Sequence, residues 1–151
     1  MKSEKEKNHV SLRQAASADD EFAYQVKKEA LGPYVTQVWG WDENVQRDFH
    51  RKEFDPSHLQ IVTLGGRDIG TIEVVSKDKR ILINKLYLLP KYHNRGIGSK
   101  LIRDVLDQAR TQGLPVRLSV LKVNPARRLY ERLGFHVVEE TDTHWKMEWP
   151  S

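Results

Sequence analysis

The chain has no cysteine. That excludes disulfides and thiolate metal sites. It is compatible with a reducing cytoplasm, the expected compartment. No apolar run approaches the roughly 18 residues of a membrane span, so no membrane partner is expected. The first ten residues, MKSEKEKNHV, are charged and lack the apolar stretch of a secretory signal. Two common phosphate motifs are missing as well. A dinucleotide fingerprint needs a third glycine three residues after the second, and Gly96-Ile97-Gly98 is followed by Leu101 at that point. Gly65 to Gly70 has the spacing of a P-loop, but Thr71 stands where the lysine belongs, and a hairpin turn is the better reading. His9, His50, His58, His136 and His144 show no metal-ligand spacing, so no metal is expected and they read as surface or packing residues. Positive charge is interleaved with acids rather than striped with aromatics, which argues against nucleic acid as a partner.

What is present points to a soluble globular chain. Its 151 residues suffice for one domain with a real core, and its net charge of +4 suits an anionic ligand. Residues 1–9 read as a flexible polar leader and 10–151 as a single domain. Val10 to Ala15 predicts a short strand. Asp19 and Asp20 start a helix expected to reach Leu31 and stop at Gly32-Pro33. Asp42 is the expected N-cap of a second helix through Phe54. HLQIVTL, the GGRD turn and IGTIEVV predict a hairpin. RILINKLYLL predicts a long central strand buried on both faces. A helix to Gln112, the strand VRLSVL, a short helix opened by Pro125 and closed by Gly134, and an antiparallel pair FHVVEE/HWKMEW complete the chain. Most adjacent strands are joined by hairpins, which favours an α+β fold over a doubly wound one.

The stretch LLPKYHNRGIGSKLI, residues 88–102, carries the chemistry. A strand hands over to a helix through Arg95, Gly96, Ile97 and Gly98. Helix N-termini have unpaired N–H groups and a positive dipole end, so they bind phosphates. Glycines let the backbone approach a ligand with no Cβ in the way. Arg95 and Lys100 add positive charge. On local chemistry alone, a glycine-shaped turn before a helix is the equal alternative. Ile97, Leu101, Val105 and Ala109 share the helix's apolar face with Ile102 and Leu106 beside them.

From Ile83 to Phe135 the motifs LYLLP, HNRGIG, LSVLKVN and ARRLYERLGF follow one another in the order seen in the GNAT superfamily of acyl-CoA-dependent N-acyltransferases, which the chain resembles. Two departures stand out. His93 occupies the position usually held by Gln or Arg, and Asn124 to Tyr130 is one residue shorter than in many members. The resemblance implies a mixed, mostly antiparallel sheet flanked by helices, whose fourth strand, Ile81–Leu89, splays from the fifth, Val116–Leu121. It implies acetyl-CoA as co-substrate, with the pantetheine arm pairing along Tyr87, Leu88 and Leu89. The phosphates would lie on His93, Asn94, Arg95, Gly96, Ile97, Gly98 and Ser99, with Asn124 nearby. It implies direct attack by an amine, an oxyanion held by a backbone N–H near Leu88, and Tyr130 as the acid that protonates the thiolate. The alternative for Tyr130 is a half-buried aromatic packing beside Phe135. Glu73, Asp42, Glu43 and Glu148 are candidate bases. Ser119 holds the fifth-strand position where some relatives keep a glutamate, so deprotonation through water is open.

In this fold the first two helices cover the acceptor. Tyr34, Trp39 and Trp41 are therefore candidate walls of an amine pocket, with Asp42 or Glu43 to attract an ammonium group. The equal alternative makes the tryptophans core anchors and Asp42 only a helix cap. The expected partner is a small-molecule or peptide amine, with a homodimer through the terminal strands as a further possibility. A non-catalytic acyl-CoA sensor shares the cofactor motif and is the competing function.

Overall fold

A computed structural model of the chain describes residues 8–150. Residues 1–7 of the expected leader lie outside the described residues. Seven strands form one open sheet: β1 (Val10–Gln14), β2 (Leu59–Leu64), β3 (Arg67–Lys77), β4 (Arg80–Leu88), β5 (Val116–Leu121), β6 (His136–Glu140) and β7 (His144–Trp149). Their order across the sheet is β1-β2-β3-β4-β5-β7-β6. Four α-helices accompany them: α1 (Asp20–Trp39), α2 (Glu43–Glu53), α3 (Ile97–Gln112) and α4 (Arg127–Arg132). β4 and β5 run parallel; β1–β2, β2–β3, β5–β7 and β6–β7 are antiparallel. This is the mixed α+β architecture that the hairpin spacing predicted. Among the described residues no helix is long and apolar enough to cross a membrane.

The described residues divide into two compact units, one comprising 8–73 with Lys85–Asn94, the other Val74–Asn84 with 95–150. In the first, Ala15, Ala23, Leu59 and Ile61 form a buried cluster with Phe22 and Phe54 against it. The β2–β3 hairpin turns at Gly65-Gly66, where the GGRD signal placed it. In the second, the six apolar residues predicted for one face of α3 are all buried. Gly113 ends that helix in the left-handed conformation, as a C-terminal glycine does. β5 buries Val116, Leu118 and Val120 and exposes Ser119, the alternation read from VRLSVL.

The expected stop at Gly32-Pro33 is overturned. α1 continues through both residues to Trp39 and ends at Gly40, whose N–H donates to Thr36 O. Pro33 has no N–H to offer the Glu29 carbonyl, a defect worth about 3 kcal/mol in an isolated helix. Tertiary packing outweighs it: Val35 is buried one half-turn further on, and a Cβ built at Gly32 would lie only 3.7 Å from the Trp41 ring. The second correction concerns β4. Ile81, Ile83 and Leu88 are buried, but Asn84 is exposed and Lys85 to Tyr87 are half-buried, so the strand is not covered on both faces. Its parallel ladder with β5 contains two pairs, Ile81↔Val116 and Leu82↔Arg117, whereas β5 pairs with β7 over its whole length. Among the described residues the ladder between the central strands is thus confined to the start of β4.

Candidate active site

The passage from β4 to α3 is built from tight local bonds. Leu89 N–H donates to Ile69 O at 2.9 Å. Pro90–Tyr92 make a 3-10 turn whose Tyr92 is buried. His93 and Asn94 follow at the surface, and the His93 ring reaches back to place Nε2 2.7 Å from Leu88 O. Asn94 and Gly96 both take positive φ, at 59° and 79°. Gly96 then caps α3 in the left-handed conformation, its carbonyl accepting from Lys100 N–H. No side chain caps this end. The N–H groups of Ile97, Gly98 and Ser99 are thus left without intrahelical acceptors. A Cβ at Gly96 or Gly98 would meet nothing within 4 Å, so bare backbone faces open space, while buried Ile97 pins the turn from below. The Lys100 ammonium is paired with Asp104 at 2.8 Å, so its charge is shared along the helix.

The second unit also holds Asn124 and Tyr130. Asn124 Oδ1 accepts from Ala126 N–H at 2.9 Å and turns the chain into α4. Tyr130 lies on α4, its ring edge-on to that of buried Phe135 with centroids 6.1 Å apart. Part of the side chain reaches the surface, yet protein surrounds the phenol closely enough that burial raises its pKa above the ordinary 10. Among the described residues nothing hydrogen-bonds its hydroxyl. Tyr130 thus packs beside Phe135, the alternative stated for it.

The segment from Tyr34 to Glu43 is mostly engaged in joining α1 to α2. Tyr34 is half-buried and Trp39 is 60% exposed. Trp41 lies over Gly32, tilts against Tyr24 at 6.4 Å and donates from Nε1 to Glu43 at 2.9 Å. Glu43 also receives Lys28 Nζ at 2.9 Å and Arg47 Nε at 3.2 Å. Asp42 accepts from Val45 N–H at 3.0 Å and caps α2, as its position predicted. Of the other carboxylates, Glu148 is bonded to Arg117 at 2.5 Å and Glu73 is buried on β3 opposite Leu59. Ser119 is exposed on β5. His50, read from the sequence as a surface or packing residue, is a packing residue. It is buried, with Nε2 2.5 Å from Asp20 Oδ1 and its ring edge-on to Tyr24. A lone histidine on a helix gives no local sign of that. Among the described residues no cluster of three or more His, Asp or Glu is arranged for a metal.

The ion pairs that Glu43 and Glu21 make between α1 and α2 have a testable pH signature. Hydrogen bonds from Lys28 and Trp41 hold Glu43 down to about 2, and those from Arg47 and Gln25 do the same for Glu21. Their folded-state pKa values lie below the unfolded value of 4.5. The stabilisation is therefore present above pH 4.5 and is lost as pH falls toward 2. Glu43→Gln is expected to lower the melting temperature at pH 7 and to match the wild type near pH 2. Thermal scans across that range check it, and a gap independent of pH refutes the ion-pair account.

Comparison with known proteins follows the same residues. A profile described as the Acetyltransferase (GNAT) family matches residues 18–135. An uncharacterized N-acetyltransferase of Mycobacterium tuberculosis is 39% identical over 75 residues, 48% of each chain. A thialysine N-epsilon-acetyltransferase of Bos taurus is 37% identical over 68 residues, 44% of this chain and 40% of that one. The matched segments thus span about half the length of these relatives or less. The PaiA N-acetyltransferase of Thermoplasma acidophilum, solved in complex with coenzyme A, shares the fold with a TM-score of 0.77 at 19% identity, over 95% of this chain and 99% of that one.

Proposed function

The chain belongs to the Acetyltransferase (GNAT) family, and from that premise we propose that it transfers an acetyl group from acetyl-CoA to a primary amine. The observation that carries this reading is the first turn of α3. Open space over Gly96 and Gly98, uncapped N–H groups and a helix dipole suit a pyrophosphate. The unit that contains this turn has more Lys and Arg than Asp and Glu, and the other unit has the reverse. Acetyl-CoA supplies the activated acyl group as a thioester.

This chain's residues take the remaining roles, with 10–151 acting as one acetyltransferase domain. Asn94 to Ser99 hold the phosphates through backbone N–H groups. Leu88 offers its backbone N–H to the thioester oxygen, and Tyr87 lies beside the pantetheine arm. Leu89 N–H is committed to Ile69, so its share falls to its carbonyl and side chain. Asn124 keeps its amide NH₂ for the cofactor while its Oδ1 holds Ala126. The Tyr130 hydroxyl donates its proton to the departing thiolate. An alkylammonium of pKa near 10.4 is only about one part in a thousand neutral at pH 7.4, so the acceptor must first lose a proton. Asp42, Glu43 and Glu148 are already engaged, which favours removal through water.

The acceptor is a small or peptide-like primary amine under the segment of Tyr34, Trp39, Trp41 and Asp42. The thialysine enzyme's name places its acetyl group on a side-chain amine, which supports this class. Trp39 is the most exposed aromatic of the segment, and a tryptophan ring attracts cations. The test is release of free CoA thiol from acetyl-CoA across a panel of amines. Amine-dependent, saturable release is expected, with Trp39→Ala raising KM for the amine but not for acetyl-CoA. Tight CoA binding with no release for any amine would make the protein a sensor and overturn the proposal.

A further inference from the structure

We infer that His93 is a positioning residue that locks the end of β4, acting with Gly70 on β3. The inference rests on the acetyl-CoA reading only for its effect on turnover. Leu88 O is purely an acceptor, so the 2.7 Å contact requires the proton on His93 Nε2 and fixes the ring's orientation. The N–H of the same peptide unit, on Leu89, donates to Ile69 O at 2.9 Å. Both polar groups of the Leu88–Leu89 peptide are therefore held, from two different directions.

Gly70 removes the remaining freedom. A Cβ there would collide with Tyr87 O and would lie 2.7 Å from Leu88 Cδ2 and 3.1 Å from Leu88 Cα. The β3 backbone thus lies directly against the Tyr87–Leu88 peptide, which carries the Leu88 N–H. In an acyl transfer that N–H must meet the thioester oxygen, and a displacement near 1 Å lowers rate by about 100-fold. His93 stands where Gln or Arg is usual, and each of those side chains also carries N–H donors. On this account position 93 serves the strand end and contributes little to phosphate affinity.

The test compares His93→Leu, His93→Gln and Gly70→Ala. In ligand-free protein, nitrogen chemical shifts should report the Nε2–H tautomer for His93. The Leu89 amide should exchange at least about tenfold faster in His93→Leu than in wild type. In the loaded enzyme, His93→Leu should lower kcat by about 10- to 100-fold while calorimetric Kd for CoA stays within about threefold. His93→Gln should restore most of kcat. Gly70→Ala, if folded, should share the low kcat and retained Kd. Weakened CoA binding with kcat unchanged in His93→Leu would make His93 a phosphate ligand and overturn the inference. Unaltered Leu89 exchange would overturn it independently of any catalysis. Failure of the acetyl-CoA reading shows differently, as wild-type protein that neither binds CoA nor releases thiol.

Discussion

Gly98→Glu is expected to abolish CoA binding while leaving the fold intact. The protein side of this position is open, since a Cβ there meets nothing within 4 Å. The first turn of α3 also needs no glycine for its own conformation at this point, because Gly98 has no positive φ. A carboxylate about 4 Å from a phosphate, at an effective dielectric near 20, adds about 4 kcal/mol of repulsion. That corresponds to roughly a thousandfold in Kd. Gly98→Ala provides the steric control. It should raise helix stability by up to about 1 kcal/mol yet weaken CoA, because the methyl group enters the space the phosphates need. Gly96→Glu should also lose CoA, but its φ of 79° adds backbone strain, so it is the less clean variant. Calorimetry and a melting curve on each variant separate the effects. Wild-type affinity in a folded Gly98→Glu protein would remove α3 as the phosphate site.

Tyr130→Phe is expected to reduce kcat by about 10²–10⁴-fold, the usual range for a general acid. Kd for CoA should change little, since the ring keeps its edge contact with Phe135. The direction of the Tyr130 pKa matters here. Burial raises it, so the hydroxyl keeps its proton throughout the neutral and mildly alkaline range. The neutral fraction of an alkylamine meanwhile grows about tenfold per pH unit below 10.4. Wild-type kcat/KM should therefore climb from pH 7 to 9 with no fall from loss of the acid. Stopped-time thiol assays across that range measure both. A Phe variant with wild-type turnover would mean that the thiolate leaves unassisted.

Much of this was legible because it depends on near neighbours in the chain. The apolar spacing of α3, the caps at Asp42 and Gly113, and the uncapped glycine turn at Gly96 follow from relations spanning one to four residues. The order of motifs between Ile83 and Phe135 was specific enough to name a family and a mixed, mostly antiparallel sheet. Other features depend on partners far away in sequence. Gly32-Pro33 reads as a stop, yet α1 passes through it because Trp41 and Val35 supply packing that outweighs the proline's local defect. Trp41 reads equally well as a pocket wall or as a core anchor, and Glu43 as an acid that would attract an ammonium group. The Glu43 ion pair with Lys28 and the Trp41 ring contact with Tyr24 exist only once α1 and α2 lie together. Gly70 looks like an ordinary strand glycine until β4 is laid against it. His93 looks like a weak substitute for Gln or Arg until the Leu88 carbonyl comes within 2.7 Å of its ring. Backbone preference and helical period act between neighbours and are written in residue order. Which side chain meets which is decided by the approach of strands and helices, where one close contact can reverse a local preference.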